Sequence, residues 1–427
     1  MSIVQLPPTD ASTMSAELLA RIRRLDRHSD DQRMTPGRDP LRRSSEVYAR
    51  IVWSRLTEPG DSVAGKLLET LGARLSLELL TEGSPTRSLR QHAAARGVQF
   101  GAELSKACSR WLPRLDRVGT SVDIDRALSA GLGVVLPGDP AWPVVLDDLG
   151  DSGPIMLWVR GDPRLLDAPS LSVVGARAVT GYGTHITAEI VEGVCAAGFT
   201  ITSGAAYGVD AVAHRTALAV QAPTIAVLAG GADRAYPAAH GTLLSRIAET
   251  GVVCSEMVPG SAPTRWRFLQ RNRIIAALSG TTLVTEAGVR SGTLNTAGHA
   301  ASLGRSLGAV PGPVTSAASA GCHRLIREYG ATLVTQTRDV LELMGGMDPL
   351  IGDLDSESDG REPSLHQRIT DALPLRGGRT AAEIVRLAGV STGEAHGALV
   401  ELELLGRVRR RDSPTELESE WVLVRAQ

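Results

Sequence analysis

Lysine is almost missing from this 427-residue chain: Lys66 and Lys106 are the only two, so nearly all of the 45 basic residues are arginines. Genome base composition explains such a bias by itself, yet it leaves cations of the type that fork onto phosphate and stack on flat surfaces. A formal charge of −2 gives no general excess of positive charge, so any nucleic-acid binding rests on a local basic patch. Cys108, Cys195, Cys254 and Cys322 lie far apart, without a CxxC or a Cys/His pair at metal-ligand spacing. That argues against a zinc site or a disulfide framework and for reduced thiols. No apolar run approaches the length of a membrane span, and Met1 to Asp10 lacks a basic start followed by an apolar stretch. The expectation is a cytoplasmic protein with no membrane partner and no bound metal or other cofactor.

What is present is ordinary globular material, 43% hydrophobic and 22% charged, with length for two to four domains. Residues 1–130 carry only helical signals, at Glu17 to Ile22, Val47 to Leu56 and Lys66 to Leu80, and are expected to form a helical N-terminal domain. The break Glu58-Pro59-Gly60-Asp61 gives this domain a degenerate SAM-like or helix-hairpin-helix-like character. It lacks the Gly-x-Gly that lets backbone amides approach a phosphate, and ordinary helix packing is the favoured reading.

From Leu171 onward, short apolar runs alternate with Gly-rich turns and helical stretches. The runs are 171–174, 199–202, 224–228, 252–254, 282–285, 307–310 and 331–334. This alternation predicts an α/β domain over 131–345, a mostly parallel sheet covered by helices on both faces. Residues 346–364 are acidic, with Asp353, Asp355, Glu357, Asp359 and Glu362, and read as a flexible linker. In 365–427, capping-box patterns at Thr380 to Glu383 and Ser391 to Glu394 start helices, the second stopping at Gly406. Arg407 to Arg411 and the strand-like Trp421 to Val424 follow, so a winged helix is expected.

Ligands of such sheets bind beyond the carboxyl ends of the strands, which makes the residues after each run the informative ones. After the first run come Gly175-Ala176-Arg177, small residues and a fixed charge suited to an anion. The pattern is not GxGxxG, the second run ends in Ser203-Gly204 instead of an acid for a ribose, and no GxxxxGK[ST] occurs, which disfavours NAD and a P-loop ATPase. Ser203 to His214 is a second Gly-rich turn, with Gly208, leading into a helix. Asp210 and His214 stand at i and i+4 there, either an acid/base pair or, the favoured reading, a structural pair bracing the loop.

The densest signal is 264–275, with Arg265, Arg267, Arg271 and Arg273 around Trp266 and Phe268 and no acid. Cations that track phosphates and rings that stack on bases hold single-stranded nucleic acid, about 1 to 3 kcal/mol per stacked base. An amphipathic helix with Ile274, Ile275 and Leu278 inward explains the same residues as packing. Glu286 follows the fifth run as a general base or a loop tether, and Ser291-Gly292-Thr293 forms a second candidate anion cradle. Cys322 and His323 are adjacent, so a helix does not turn them toward each other as nucleophile and base.

In this order, the segments at 175–177, 203–214, 268–279, 286–297, 310–313 and 320–326 closely resemble the DNA-processing protein A family, also called Smf or DprA, over about residues 130–345. The resemblance implies an extended Rossmann-like domain that binds single-stranded DNA without cutting it, usually as a homodimer, and helps load the recombinase RecA in natural transformation. Arg177 and Gly204 would meet phosphates, Arg265 would share their basic pocket, and Phe268 would receive a base. Arg271 and Arg273 would add field or brace the loop, with Gly175, Ser203, Gly208, Asp210, Asn272, Glu286, Ser291, Gly292 and Thr293 in support.

Ala176, Ala205, Tyr207 and Leu269 depart from the family's usual serine, leucine, arginine and proline, which removes a hydroxyl donor and one cation from the pocket. Two other readings compete: a phosphoribohydrolase-like nucleotide-processing enzyme, whose PGGxGTxxE loop is absent, and a winged-helix regulator with a ligand-sensing sheet domain and a basic wing at Arg407 to Arg411.

Overall fold

The computed structural model describes residues 14–26, 39–345, 364–374, 377–404, 407–411 and 420–424. The acidic segment expected as a linker, apart from Ser364, and the Gly406 stop lie outside the described residues, as does Met1 to Asp10. The chain forms two compact units, Met1–Gly346 and Met347–Gln427.

Among the described residues the first unit opens with seven α-helices: Ala16–Leu25, Pro40–Leu56, Ser62–Leu71, Ala73–Leu80, Pro85–Ala94, Ala102–Trp111 and Arg117–Ser129. Asp39 and Asp61 cap two of them, their carboxylates accepting from the amides of Leu41 and Ala64. The stretch Lys66 to Leu80 is two helices, not one, because Gly72 at φ 81° breaks it in a backbone conformation that glycine tolerates best. Trp53 meets Trp111 edge-on at 5.0 Å and donates its indole N–H to the Ala73 carbonyl at 3.1 Å. The helices share one core with the sheet residues Val134, Trp158 and Val253, so the expected N-terminal domain is packed within the larger unit. Arg43 fixes this union, forking onto Asp26 at 2.8 and 2.9 Å and onto Asp139 at 2.6 and 2.9 Å.

The sheet has nine strands: β1 Gly133–Val135, β2 Leu157–Gly161, β3 Ser170–Val174, β4 Thr200–Ser203, β5 Thr224–Leu228, β6 Val252–Ser255, β7 Thr281–Val284, β8 Ser306–Ala309 and β9 Thr332–Leu333. Their order is β1-β2-β6-β5-β4-β3-β7-β8-β9, parallel throughout except for β1 and β2. Seven of them lie at the apolar runs; β1 and β2 add an antiparallel edge. The chain winds from β3 through β4 and β5 to β6 in one direction, then returns to place β7 on the other side of β3. Connections therefore diverge between β3 and β7, the topological switch point of a doubly wound sheet.

Among its described residues the second unit has helices Ser364–Asp371, Ala381–Ala388 and Thr392–Leu404 with three short strands, Arg379–Thr380, Val408–Arg411 and Glu420–Leu423. Both capping boxes form: Thr380 with Glu383 and Ser391 with Glu394 exchange side-chain and amide hydrogen bonds. Ile369, Ile384, Leu399, Leu402 and Trp421 make its core, a winged helix. Among the described residues, no helix is long and apolar enough to cross a membrane.

Candidate nucleic-acid interface

The strand-end loops after β3, β4 and β7 are knitted together by hydrogen bonds. The Ala176 amide donates to the Glu286 carbonyl at 2.7 Å, and the Val209 amide to the Ala176 carbonyl at 3.1 Å. Thr293 donates its hydroxyl to the Gly175 carbonyl at 2.9 Å, and Ser203 donates to the Val173 carbonyl at 2.7 Å. Gly175 and Gly208 are required at these crossings, because a Cβ at either would run into Val209 or into the carbonyls of Ala176 and Arg177. Ala205 holds φ 53°, a left-handed conformation uncommon for a residue with a Cβ, and its carbonyl accepts from buried His240 at 2.9 Å. Tyr207, half exposed, meets the same His240 ring edge-on.

Helix Arg265–Leu278 supplies the wall. Thr264 caps it, its hydroxyl accepting from the Arg267 amide, and everything from Arg271 to Leu278 is buried. Burying Ile274, Ile275 and Leu278 contributes about 1.5 to 3 kcal/mol each, which anchors the polar first turn over the strand ends. The four arginines of this helix part company. Arg265 is exposed and has no ion-pair partner among the described residues. Arg267 turns to Glu58 at 2.8 and 2.9 Å, and Glu58 also accepts from Arg114 at 2.9 Å. These two guanidiniums draw the Glu58 carboxyl below its ordinary range against the opposing effect of burial. The turn at Glu58 to Asp61 is thus a brace on this helix. Its Asp61 also caps the next helix and accepts from the Trp111 indole at 3.0 Å.

Arg271 is buried and donates from Nη1 to the carbonyls of Gly204 at 2.7 Å and Val227 at 2.5 Å. Burial draws its pKa down to about 10, with Asp210 opposing the shift, so it keeps its proton at neutral pH. Asp210 in turn accepts from the Ala206 amide at 3.3 Å, and burial raises its pKa against the pull of Arg271. Arg273, expected with the DNA-binding residues to add field or brace the loop, does not face the cleft: two positions from Arg271 it points the other way, 3% exposed, with Nη2 at 2.7 Å from both oxygens of Glu256.

Together these elements enclose a cleft of about 1000 Å³ at the switch point. Arg177, Arg265 and Arg290 stand around it and Arg271 lies in its floor; Asp210 is its only carboxylate among the described residues. Phe268 is the hub: the Arg177 guanidinium sits 4.9 Å and that of Arg271 5.8 Å from its ring centre, and Tyr236 lies 5.5 Å away, tilted by 54°. Guanidinium over a ring face is an attractive pairing, so charge and flat surface are presented as one unit.

The other expectations divide. Gly204 is not among the cleft-lining residues; it is a glycine because a Cβ would overlap the Arg271 guanidinium. The expected Asp210/His214 pair does not form: His214 bonds Thr224 at 2.7 Å, while Asp210 braces the loop alone. Glu286 is the tether, 2% exposed, accepting from the Thr180 hydroxyl at 2.5 Å and from the Thr180 amide. Ser291 and Thr293 bond one another at 2.9 Å, so their hydroxyls cross-link loops first. Asn272 bridges to Asn295 at 3.2 Å. Cys322 faces the Val284 carbonyl and burial pushes its pKa up to about 12, while His323 is held by Gly312. Two cleft residues escaped the sequence reading: Arg290, an arginine in a Gly/Ser strand-end loop like Arg177, and Tyr236, an aromatic just after the Gly-Gly turn that ends β5.

These features define a Rossmann-like sheet protein with a cationic, aromatic-lined cleft at its switch point and a separate winged-helix unit. Residues 133–345 match the family model of DNA recombination-mediator protein A, and residues 356–412 match the DprA winged helix domain. The DprA relative from Mycobacterium tuberculosis (strain ATCC 25618 / H37Rv) is 38% identical over 388 residues, 87% of this chain and 93% of its own length. The DNA processing protein DprA of Streptococcus pneumoniae is 40% identical over 203 residues, 48% of this chain and 71% of that protein. The X-ray structure of S. pneumoniae DprA superposes with a TM-score of 0.57 at 31% identity, covering 70% of this chain and 96% of that one. This chain belongs to the DNA-processing protein A (DprA/Smf) family.

Proposed function

We propose that the cleft binds single-stranded DNA without cutting it. Carrying the reading is one observation: Arg177, Arg265 and Arg290 line the same cleft as the Phe268–Tyr236 ring pair, with Arg177 over the Phe268 ring, while the cleft's only carboxylate among the described residues, Asp210, accepts from an amide and lies in the field of Arg271. Exposed arginines for phosphates beside aromatic rings for bases are what a splayed single strand requires, whereas a duplex hides its base faces. A non-catalytic role is supported by the fate of the reactive candidates, since Glu286, Cys322 and His323 are each held in a structural hydrogen bond.

Membership of a recombination-mediator family supports a further step, in which the protein, as a homodimer in the cytoplasm, hands the strand to RecA during recombination of incoming DNA. The regulator reading has less support: the winged-helix segment Thr392–Leu404 carries Glu394, Glu401 and Glu403 and no Lys or Arg, which disfavours insertion into a duplex groove. The test is a double variant, Arg177→Gln with Arg265→Gln, titrated against a labelled single strand. It should bind more weakly and with a salt slope smaller by about 1.4, roughly 0.7 per lost phosphate contact. Wild-type affinity and slope in that variant contradict the reading.

A further inference from the structure

A second cavity of about 170 Å³ lies behind the wall of the main cleft, at the end of β5. The two share Tyr236, Pro263 and Phe268, so the ring pair is a partition with a hollow on each side. The second hollow is floored by Leu228, Ala229 and the Gly230-Gly231 turn, and closed by Ala262. Its floor is fixed: Ser255 donates to the Gly230 carbonyl at 2.7 Å, and the Gly231 amide donates to the Ser261 carbonyl at 2.9 Å. At its mouth stands Arg234, its side chain 67% exposed and only 3.5 Å from Asp233, whose carboxylate also accepts from the Gly260 amide at 2.8 Å. Small apolar walls, one exposed aromatic ring and one cation match the parts of a nucleotide: a flat base and a phosphate.

We propose that this hollow is a second base subsite, which receives the nucleobase next to the one held in the main cleft, with the Tyr236 ring as the shared wall and Arg234 on the phosphate. The proposal rests on the single-strand reading of the main cleft and extends its footprint past Tyr236. The occupant is a base of the same strand, because the only wall the hollow shares with a ligand site is the one that strand already contacts.

The experiment is an anisotropy titration of the full chain with oligothymidylates of increasing length. Two variants test the subsite: Ala262→Phe, which fills it, and Arg234→Gln, which removes its cation; both positions are exposed and neither lines the main cleft. Wild type should gain affinity when the strand becomes long enough to enter the second hollow. Each variant should lose that gain, a weakening of at least about fivefold, while binding the shortest retained oligonucleotide as wild type does. Wild-type length dependence in both variants overturns the subsite and leaves the main cleft intact. Undiminished binding by the Arg177/Arg265 double variant instead overturns the cleft reading, and the subsite with it.

Discussion

The guanidinium of Arg271 lies 2.7 Å from the carbonyl of Gly204 and occupies the space a Cβ on residue 204 would take. A glycine that looks from sequence like a phosphate contact is thus what lets a buried charge reach the ends of β4 and β5. The cleft floor depends on that approach.

Gly204→Ala should therefore displace Arg271 and lower the unfolding free energy by about 1 to 3 kcal/mol, the usual cost of overpacking. Urea denaturation measures it. An alanine variant as stable as wild type contradicts the close approach.

Arg290 and Arg273 should separate cleanly. Arg290→Gln should leave stability within about 0.5 kcal/mol of wild type and reduce the salt slope of single-strand binding by about 0.7. Arg273→Gln should leave the slope alone and cost about 3 to 5 kcal/mol, because Glu256 keeps its charge without its buried partner. A changed slope in the Arg273 variant would return that residue to the interface.

Trp266 is 56% exposed, whereas Trp53, Trp111, Trp142, Trp158 and Trp421 are buried. A collisional quencher should reach Trp266 alone, and Trp266→Phe should abolish the quenchable fraction of the fluorescence. Since Trp266 adjoins Arg265, a bound strand should shield it; unchanged quenching at saturating oligonucleotide counts against a strand crossing the first turn of that helix.

His214 is fully buried with its Nε2 unpaired among the described residues, and burial first, then His240 and Arg271, bring its pKa from 6.5 down to about 3. The unfolded chain then binds a proton that the folded chain refuses between those values. Its share of stability is complete above pH 6.5 and falls as pH drops toward 3, by about 1.4 kcal/mol per unit at the steepest. Thermal unfolding at pH 7 and pH 5 should show a larger loss in wild type than in His214→Gln; equal losses contradict it.

Much of this was legible in the sequence because buried parallel strands write themselves as continuous β-branched runs, as at β3, β5 and β7. β1 and β2 were not, since Gly133–Val135 is too short to show a period and Leu157–Gly161 ends in Arg and Gly. Composition marked the helix at Arg265 to Leu278 but weighted its arginines alike. Only the helical turn separates Arg265, beside Phe268 in the cleft, from Arg267 and Arg273, which meet Glu58 and Glu256. Glu58 is 209 residues from Arg267, and Glu256, though only 17 from Arg273, lies beyond any helical spacing, so no local pattern announces either acid. Tyr236 is invisible for the same reason: its meaning lies in Phe268, brought to it by the sheet.

The central claim is that the switch-point cleft holds a single strand by phosphate and base face together. Its most direct measurement is a competition titration, with labelled single-stranded DNA bound to the full chain and displaced by unlabelled single strand or by its duplex, at two salt concentrations. Displacement by the single strand at far lower concentration than by duplex, with affinity falling as salt rises, is the predicted result. Equal competition by duplex contradicts the claim.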